Sequence, residues 1–348
     1  MSGTSELLLG DLGERGIQEH VLRPRYGRTE GFGDDSALLG EVAARSELVA
    51  TTDSCPTPVV NILAEPDLFH AGWLLATINL SDLAAAGATP LGLVVNYTLP
   101  KTTTVAQFER LLDGVDACCR EHRTKVAGGD IRDGATMQLT ATAIGRCVPG
   151  SRLRRSGAKE GDRLLLVGSP GYLWAAALVK TGRASVPRRV EDELWDRACR
   201  PKAQLKAGQV LAARSFARAA MDVSDGLFAT VRTLCEANAL GAEISEEFDL
   251  ADGVAQVAAQ CDLRPFELAQ TWGDWGLVVV TRAEDVELAI KTLDEEGVPA
   301  QEIGTLTAGP ELTLGAARWE GIAQERFSPS SWHGGEPATL VEAVLGRR

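Results

Sequence analysis

The segment Asn79-Leu-Ser-Asp-Leu-Ala-Ala-Ala-Gly-Ala88 closes a long stretch, rich in alanine and leucine, that starts at Ala71. Both residue types favour helices and Gly87 interrupts the run, so residues 71–86 predict a helix. Outward from this helix, apolar and β-branched residues predict a strand at Leu48–Thr52, ending at Asp53, and a second strand at Leu91–Leu99.

Strands and helices remain mixed along the rest of the chain. We predict further helices at residues 105–121, 173–180, 203–213 and 227–238, and strands at residues 136–145, 277–281 and 311–314. The segment 155–162, Arg-Ser-Gly-Ala-Lys-Glu-Gly-Asp, is rich in turn residues and precedes the apolar run Leu164–Val167, which indicates a domain boundary. Both halves mix the two element types, so the fold class is α/β or α+β.

The composition is that of an ordinary globular chain. Its 348 residues, 45% hydrophobic and 24% charged, suffice for two domains with a large buried core. We find no apolar run of about 18 residues and no basic-then-apolar N-terminal segment, so we expect neither a transmembrane helix nor a signal peptide. Seven cysteines without a C-x-x-C pair favour a reduced, cytoplasmic setting over a disulfide framework or a zinc site.

The charge balance is acidic, with 48 Asp and Glu residues against 35 Lys and Arg residues and a net charge of −13. Because phosphate backbones and anionic lipids attract Lys and Arg, this excess argues against a general nucleic-acid or membrane binder. Two interpretations of this excess are open. The acidic residues serve only solubility, or several of them gather in one cleft to hold cations. The positions of the aspartates decide between these two interpretations.

Five short motifs place an aspartate beside glycine, serine or threonine, each at an expected end of an element. They are Gly33-Asp-Asp35, Thr51-Thr-Asp53, Asn79-Leu-Ser-Asp82, Gly128-Gly-Asp130 and Asp222-Val-Ser-Asp-Gly226. Mg²⁺ prefers oxygen ligands, and small neighbours let the backbone approach a polyphosphate. One such motif alone is ordinary turn or capping chemistry. Two carboxylates about 4 Å apart repel by roughly 4 kcal/mol at an effective dielectric constant near 20, so five converging motifs would require cations.

Other kinds of site find little support in the sequence. There is neither a G-x-x-x-x-G-K-[ST] loop nor a G-x-G-x-x-G loop after a predicted strand. The four histidines are His20, His70, His122 and His333, without an H-E-x-x-H motif or a triad-like setting. A Ser-His-Asp hydrolase is therefore not favoured.

The motifs together carry a family resemblance that spans nearly the whole chain. The chain resembles the thiamine-monophosphate kinase family, whose superfamily includes aminoimidazole ribonucleotide synthetase, selenophosphate synthetase and a hydrogenase maturation protein. The resemblance rests on Gly33-Asp-Asp-Ser-Ala37, Thr52-Asp-Ser54, Asn79 to Ala88, Gly128-Gly-Asp130, residues 155–162, Arg200-Pro201 and Met221-Asp-Val-Ser-Asp-Gly-Leu227.

The resemblance implies a two-domain fold. An N-terminal α/β domain, residues 1–150, would bind ATP and Mg²⁺ and pair with a second copy in a homodimer, and residues 151–348 would form an α+β domain. Magnesium ligands are implied at Asp35, Thr52, Asp53, Asp82, Asp130, Asp222 and Asp225. Nucleotide contacts are implied at Gly129, Asp130, Arg155 and Ser224, and the aspartates implied to be catalytic are Asp53, Asp82, Asp130 and Asp225.

The acceptor side departs from the family pattern. Val60 stands where the family has a histidine that contacts thiamine phosphate, within a loop that Pro56 and Pro58 stiffen. In the segment Thr271-Trp-Gly-Asp-Trp-Gly-Leu277, Gly273 replaces a substrate-contacting glutamate of the family. We therefore take Val60, Asp274 and Trp275 as candidate substrate contacts.

The pattern predicts a magnesium-dependent phosphotransferase that uses ATP and acts on a different or modified small-molecule acceptor. Three alternatives stay open at this point. One is a genuine thiamine-monophosphate kinase. Another is an enzyme that uses ATP to activate an amide or carbonyl oxygen before cyclisation or dehydration. The last is a nucleotide-binding protein without turnover.

Overall fold

The computed structural model describes residues 7–28, 45–320 and 337–345. The chain divides into two compact units. The N-terminal unit comprises Met1–Asn61, Glu65–Leu83 and Thr89–Pro149, and the C-terminal unit comprises Ile62–Ala64, Ala84–Ala88 and Gly150–Arg348. The implied magnesium ligand Asp35 lies outside the described residues.

The described elements before residue 150 are five helices, one π-helical turn and four strands. The helices are α1 (Leu9–Ile17), α2 (Arg23–Tyr26), α3 (Val60–Leu63), α4 (Leu68–Ala85) and α5 (Val105–Glu121), with the π-helical turn at Gln18–Leu22. The strands are β1 (Glu47–Ser54), β2 (Thr89–Leu99), β3 (Val126–Asp133) and β4 (Gln138–Cys147). They form one sheet in the order β1-β4-β2-β3, in which only β2 and β3 run parallel.

One face of this sheet packs against α4 and α5. Tyr97 on β2 meets Phe108 on α5 edge to face, with ring centroids 5.4 Å apart. The two helices approach each other through a pair of glycines. A Cβ at Gly72 would lie 2.0 Å from the carbonyl oxygen of Leu111, and one at Gly114 would lie 2.0 Å from that of Phe69. Only glycine allows the two backbones to come this close.

The opposite face of the sheet is more open. Leu48 on β1 is 61% exposed, although it is a large apolar side chain. Hydroxyl side chains bridge β1 and β4 on this face, with Thr142 donating to Thr52 over 3.1 Å and Ser54 lying 2.9 Å from Thr140. Residues alternate between faces along each strand, so this face carries Thr52 and Ser54 while Thr51 and Asp53 turn toward α4.

The elements after residue 150 form a larger sheet with helices. The strands are β5 (Arg163–Val167), β6 (Ala217–Asp222), β7 (Leu240–Ile244), β8 (Leu277–Thr281), β9 (Ala300–Ala308), β10 (Leu312–Leu314) and β11 (Ala317–Arg318), in the order β11-β10-β7-β9-β5-β8-β6. The described helices are α6 (Tyr172–Lys180), α7 (Arg188–Cys199), α8 (Leu205–Ala213), α9 (Leu227–Asn238), α10 (Asp252–Gln260), α11 (Pro265–Ala269), α12 (Val286–Glu295) and α13 (Pro337–Leu345), with a 3₁₀ turn at Ala283–Asp285.

The core of the C-terminal unit lies between this sheet and α9. Strands β5 and β8 are buried almost throughout, as their runs of leucine and valine indicate. Leu227, Val231 and Leu234 present one face of α9 to the core, at the spacing of an amphipathic helix. None of the helices in the described ranges combines the length and apolar character needed to cross a bilayer.

Three aspartate motifs lie inside elements, so the expectation that each stands at an element end is wrong for these three. Asp53 is within β1, Asp82 is within α4 and Asp130 is within β3. Each aspartate projects from a strand or helix rather than capping it, and turn chemistry therefore does not account for these residues. The motif at residues 222–226 does follow the end of a strand, β6.

Candidate functional site

The motifs of β1 and α4 meet on the helix-covered face of the N-terminal sheet. Asn79 and Asp82 are three residues apart and so share one side of α4, while Thr51 and Asp53 share one side of β1. The Thr51 hydroxyl donates to Oδ2 of Asp82 over 2.5 Å. The backbone N–H of Asp53 donates to Oδ1 of Asn79 over 3.1 Å. The fold thus places Asp53 and Asp82 on facing positions of a strand and a helix.

Asn79 is the residue that fixes this arrangement, and it is fully buried. Its amide Nδ2 donates to the carbonyl of Leu75 one turn earlier in α4, over 2.9 Å. Its Oδ1 accepts from Asp53, so both ends of the side chain are satisfied inside the protein. The sequence motif contained Asn79, but the residues alone did not show its role of tying β1 to α4.

Asp130 and Thr52 lie elsewhere on the same sheet. Asp130 is on β3, and β1 and β3 are the two outer strands of the sheet. Three strand spacings separate them, which is roughly 14 Å. Asp130 is exposed and lies 3.5 Å from Nδ2 of Asn96, on the open face that also carries Thr52. Within one chain, the sheet therefore divides these predicted ligands between its two faces.

The residue before Asp130 is a glycine for a steric reason. A Cβ at Gly129 would lie 1.9 Å from the carbonyl oxygen of Val95 on the neighbouring strand β2. Any side chain at this position would force β2 and β3 apart. Across the described ranges, no group of three or more His, Cys, Asp or Glu residues lies close enough together to hold a metal ion. The shared magnesium site stays a prediction.

In the C-terminal unit, the second group of predicted ligands lies on the loop between β6 and α9. Asp222 ends β6 and is buried, whereas Ser224 and Asp225 are half-buried on the loop. The Thr230 hydroxyl, one turn into α9, donates to the carbonyl of Asp222 over 3.0 Å. Gly226 has a φ of +93°, a conformation that side chains rarely adopt. The hydrogen bond from Thr230 of α9 therefore fixes the conformation of the loop at Asp222.

Arg155 lies on an exposed loop that a single side chain organises. Asn238, the last residue of α9, donates from Nδ2 to the carbonyl of Arg155 over 2.8 Å. Its Oδ1 accepts from the backbone N–H groups of Gly157 and Ala158, at 2.8 and 3.0 Å. Sequence analysis missed Asn238. An asparagine at the end of a predicted helix was the available signal, because its side chain can bond a neighbouring loop.

Asp274 caps the start of helix α6. Its carboxylate accepts from the backbone N–H of Gly171 over 2.6 Å and from that of Leu173 over 3.1 Å. It therefore satisfies free N–H groups at the start of α6, as an N-terminal capping residue does. Burial raises the pKa of Asp274 to about 6, and the two backbone hydrogen bonds oppose this rise.

Both residues next to Asp274 in sequence, Gly273 and Trp275, have a positive φ. Gly273 has a φ of +105°, and a Cβ there would lie 2.2 Å from Cδ2 of Leu173. Trp275 has a φ of +56°, and its indole N–H is buried without a hydrogen-bond partner. A glutamate at position 273 would clash with α6 in this conformation. The glycine is thus a requirement of local packing.

Val60, the third candidate substrate contact, is only 3% exposed. Its side chain packs in the interior and offers no open surface to an acceptor. Asn61 beside it is polar and contacts His70, with 2.9 Å between Oδ1 of Asn61 and Nδ1 of His70. Polar groups are therefore present next to the position where the family has its histidine.

Comparison with known sequences identifies the relatives of this chain. The family profile described as AIR synthase related protein, N-terminal domain, matches residues 33–147, and the corresponding C-terminal domain profile matches residues 159–316. Thiamine-monophosphate kinase of Synechococcus elongatus is 30% identical over 317 residues, which cover 89% of this chain and 93% of that protein. The same enzyme of Escherichia coli is 31% identical over 293 residues, covering 81% and 85%.

Solved structures agree with this relationship. Thiamine-monophosphate kinase from Stenotrophomonas maltophilia superposes with a TM-score of 0.72 at 26% identity, over 86% of this chain and 95% of that one. A ThiL protein complexed with AMPPCP and TMP gives a TM-score of 0.71 at 23% identity, over 91% and 98%. The hydrogenase maturation protein HypE in complex with ATP gives 0.70 at 20% identity, over 88% and 93%. The last two likenesses show the fold alone.

The fold and the aspartate pattern define a class, the ATP-dependent kinase-like enzymes with an aminoimidazole ribonucleotide synthetase-like fold. This confirms the predicted combination of α/β and α+β domains and the predicted enzyme class, for which ATP and Mg²⁺ are the cofactors. Within this class, the chain belongs to the thiamine-monophosphate kinase family. The family resemblance drawn from the motifs is thereby confirmed.

Proposed function

We propose that this protein is a thiamine-monophosphate kinase, which transfers the terminal phosphoryl group of ATP to thiamine monophosphate and forms thiamine diphosphate. The observation that carries the proposal is the likeness to named thiamine-monophosphate kinases at 30% and 31% identity, over more than four fifths of both chains. This replaces the sequence-based expectation of a different acceptor, which rested on two positions.

Neither position supports a different acceptor. Val60 is buried, and polar Asn61 follows it directly. Gly273 occupies a backbone conformation in which a larger residue would strike Leu173. Both departures from the family pattern are therefore accounted for by packing within the chain.

The carboxylates that would hold Mg²⁺ in this proposal are Asp53 and Asp82 of the N-terminal unit. The family pattern implies further ligands at Asp130, on the other face of the same sheet, and at Asp222 and Asp225 in the C-terminal unit. The donor set fits the ion, since all of these groups are hard oxygen donors. Bound Mg²⁺ would neutralise charge on the phosphates of ATP. The chain itself would orient the nucleotide through Gly129 and Ser224 and through the guanidinium fork of Arg155. The acceptor phosphate is already a nucleophile, so no side chain has to act as a strong base.

We also propose that the N-terminal unit forms a homodimer through the open face of its sheet. Leu48 is 61% exposed on this face, and Val94 and Ile144 on neighbouring strands are half-buried. When a second copy packs against these apolar side chains, their surface is removed from water, which favours association. In such a dimer the same sheet face of each copy would form the contact, as in an isologous interface with two-fold symmetry.

Identification of the product tests the proposed reaction. Purified protein is incubated with ATP, Mg²⁺ and thiamine monophosphate, and the nucleotides and thiamine esters are separated by chromatography. We expect ADP and thiamine diphosphate in equal amounts. Release of inorganic phosphate without thiamine diphosphate would instead support activation of an amide or carbonyl oxygen. Thiamine without its phosphate serves as the control acceptor and should give no product.

A further inference from the structure

The loop at residues 155–162 is exposed over most of its length, yet both of its ends are tied to the sheet of the C-terminal unit. Before the loop, the backbone N–H of Ala220 on β6 donates to the carbonyl of Arg154 over 2.8 Å. At its end, the backbone N–H of Leu306 on β9 donates to the carbonyl of Asp162 over 2.8 Å. The two ends of the loop are therefore fixed by two different strands.

A carboxylate holds the second half of the loop. Asp162 is only 6% exposed, and its Oδ2 accepts from the backbone N–H of Lys159 over 2.9 Å. The same oxygen lies 3.3 Å from Nε of Arg218 on β6. Because solvent and salt screen a buried ion pair less than an exposed one, this pair firmly joins the loop to the strand.

The first half of the loop is held by Asn238, the last residue of α9. Its Nδ2 donates to the carbonyl of Arg155 over 2.8 Å and to that of Leu234, one turn earlier in the helix, over 2.7 Å. Its Oδ1 accepts from the backbone N–H groups of Gly157 and Ala158. Each polar atom of this one side chain therefore makes two hydrogen bonds, and together they join the helix to the loop.

Gly157 brings the loop backbone directly onto β6. Its φ is +119°, and a Cβ at this position would lie 2.8 Å from the carbonyl oxygen of Arg218. A larger residue would push the loop away from the strand. The backbone around Arg155 is thus confined between α9 and β6, while the Arg155 side chain is exposed and accessible to a ligand.

The need to satisfy backbone groups does not by itself require this arrangement. Because the loop is exposed, water can bond to its N–H and C=O groups. Fixing a loop costs conformational entropy. In a loop that binds a ligand, this ordering is complete before the ligand arrives, which raises affinity.

We propose that Asn238 is a positioning residue for ATP binding, which fixes the backbone at Arg155 so that the guanidinium meets the phosphates of ATP already ordered. The ion pair of Asp162 with Arg218 secures the other half of the same loop. This role rests on the proposed kinase function, in which Arg155 contacts the nucleotide. Asn238 itself lies outside every motif that carries the family resemblance.

Isothermal calorimetry on the full chain, with Mg²⁺ and a non-hydrolysable ATP analogue, tests this role. Asn238→Ala should raise the Kd of the analogue about tenfold, because the Arg155 side chain then has to be ordered on binding. The matched control is Gln260→Ala. Gln260 ends α10 and holds Ser185 through the same kind of amide clamp, at 2.9 and 2.8 Å, on a loop without a predicted nucleotide contact. This control should bind the analogue as the wild type does.

A double variant tests whether Asn238 acts through Arg155. Arg155→Gln alone should raise the Kd of the analogue at least about tenfold, as loss of a charged phosphate contact does. Adding Asn238→Ala to Arg155→Gln should then raise it by less than about twofold more, because the side chain that Asn238 positions is already gone. Wild-type affinity in Arg155→Gln, or fully additive losses in the double variant, would overturn the proposed role.

Steady-state kinetics separate positioning from a general loss of folded protein. With thiamine monophosphate as acceptor, Asn238→Ala should raise the KM for ATP about tenfold and change kcat by less than about twofold. Partial unfolding would instead lower kcat at an unchanged KM, and that result would contradict the proposed role. If Asn238→Ala does not fold, Asn238→Ser replaces it, because serine keeps a hydroxyl at the end of α9 but is too short to span the loop.

The binding measurements need no acceptor, so they distinguish this role from the proposed function. Protein that binds the analogue but forms no thiamine diphosphate rejects the proposed acceptor, and the Kd of Asn238→Ala still decides the role of Asn238. An active kinase in which Asn238→Ala binds the analogue as tightly as the wild type, or no more weakly than Gln260→Ala, rejects the role of Asn238 and leaves the proposed function intact.

Discussion

At the scale of single residues, the hydrogen bond between Thr51 and Asp82 is the contact that best explains how the site is prepared. A hydroxyl donor at 2.5 Å keeps the Asp82 carboxylate in one orientation before any cation arrives. Asn79 does the same for the backbone at Asp53. The Asp82 carboxylate and the backbone at Asp53 are thus positioned by neighbours that do not themselves need to touch the nucleotide.

Replacing Asp82 should remove turnover and spare the fold. We expect Asp82→Asn to lower kcat/KM at least about a hundredfold, and Thr51→Val to lower it about tenfold or more, because a ligand and its orienting partner are lost. The control is Asp133→Asn on β3, an exposed carboxylate that pairs only loosely with Lys101 at 3.5 Å. A steady-state coupled assay measures all three. Near-normal activity of Asp82→Asn would reject its role as a metal ligand.

The raised pKa of Asp274 should appear in the pH dependence of stability. Its pKa of about 6 in the folded protein exceeds the ordinary value of 3.8. Between pH 3.8 and pH 6, the Asp274 carboxyl is therefore protonated more in the folded state than in the unfolded state. Stability linked to this group is therefore fully present below pH 3.8 and is lost as pH rises toward 6. We expect the melting temperature of Asp274→Asn, relative to wild type, to rise between pH 4 and pH 7. A constant difference across this range would contradict the assignment.

At the scale of elements, sequence patterns predicted the helices α4, α5, α6, α8 and α9 and the strands β1, β2, β4, β8 and β10. The helices at 105–121 and 227–238 and the strand at 277–281 have the predicted bounds. Among the elements that prediction missed are α7, α10, α12, β3, β6, β7 and β9, whose segments are mixed in polarity. Prediction also could not show that Gly128–Asp130 belongs to a strand, since glycine is rare in strands unless a neighbouring backbone approaches closely, as Val95 does.

The crossing of α4 and α5 gives a prediction at this scale. Gly114→Ala places a methyl group where the Phe69 carbonyl oxygen lies, at 2.0 Å, so the helices must separate. We expect a loss of about 1–3 kcal/mol in the free energy of unfolding, as overpacking of a core gives. Glu109→Ala, on an exposed position of α5, should change it by less than about 0.5 kcal/mol. Denaturant unfolding measures both. Equal stability of the two variants would show that the helices are not in contact here.

At the scale of the whole molecule, the candidate site could be predicted only in part. The motifs identified the family and the carboxylates, because each carries its own residue pattern. The separation of Asp53 and Asp130 on opposite outer strands depends on strand order, which no local pattern reveals. The same is true of Asn238, which organises the Arg155 loop from the far end of α9. Val60 and Gly273 suggested a changed acceptor until burial and backbone geometry explained them.

The open sheet face predicts the assembly. Light scattering of the wild type at micromolar concentration should give a particle of about twice 37.0 kDa. Leu48→Asp puts a charge on this face and should shift the protein toward the single chain. Leu288→Asp is the matched control, because Leu288 is 55% exposed on α12 of the C-terminal unit. A wild-type particle of one chain, or equal dissociation by both variants, would contradict a dimer through this face.

The central claim is that thiamine monophosphate is the natural acceptor, and the most direct test is its kcat/KM in a coupled assay of ADP release at saturating ATP and Mg²⁺. An enzyme acting on its own substrate should reach about 10⁴ M⁻¹ s⁻¹ or more. The account predicts a value in that range, with thiamine itself far below it. A value for thiamine monophosphate no higher than that for thiamine, in protein that still binds ATP, would contradict the account and restore the prediction of a different acceptor.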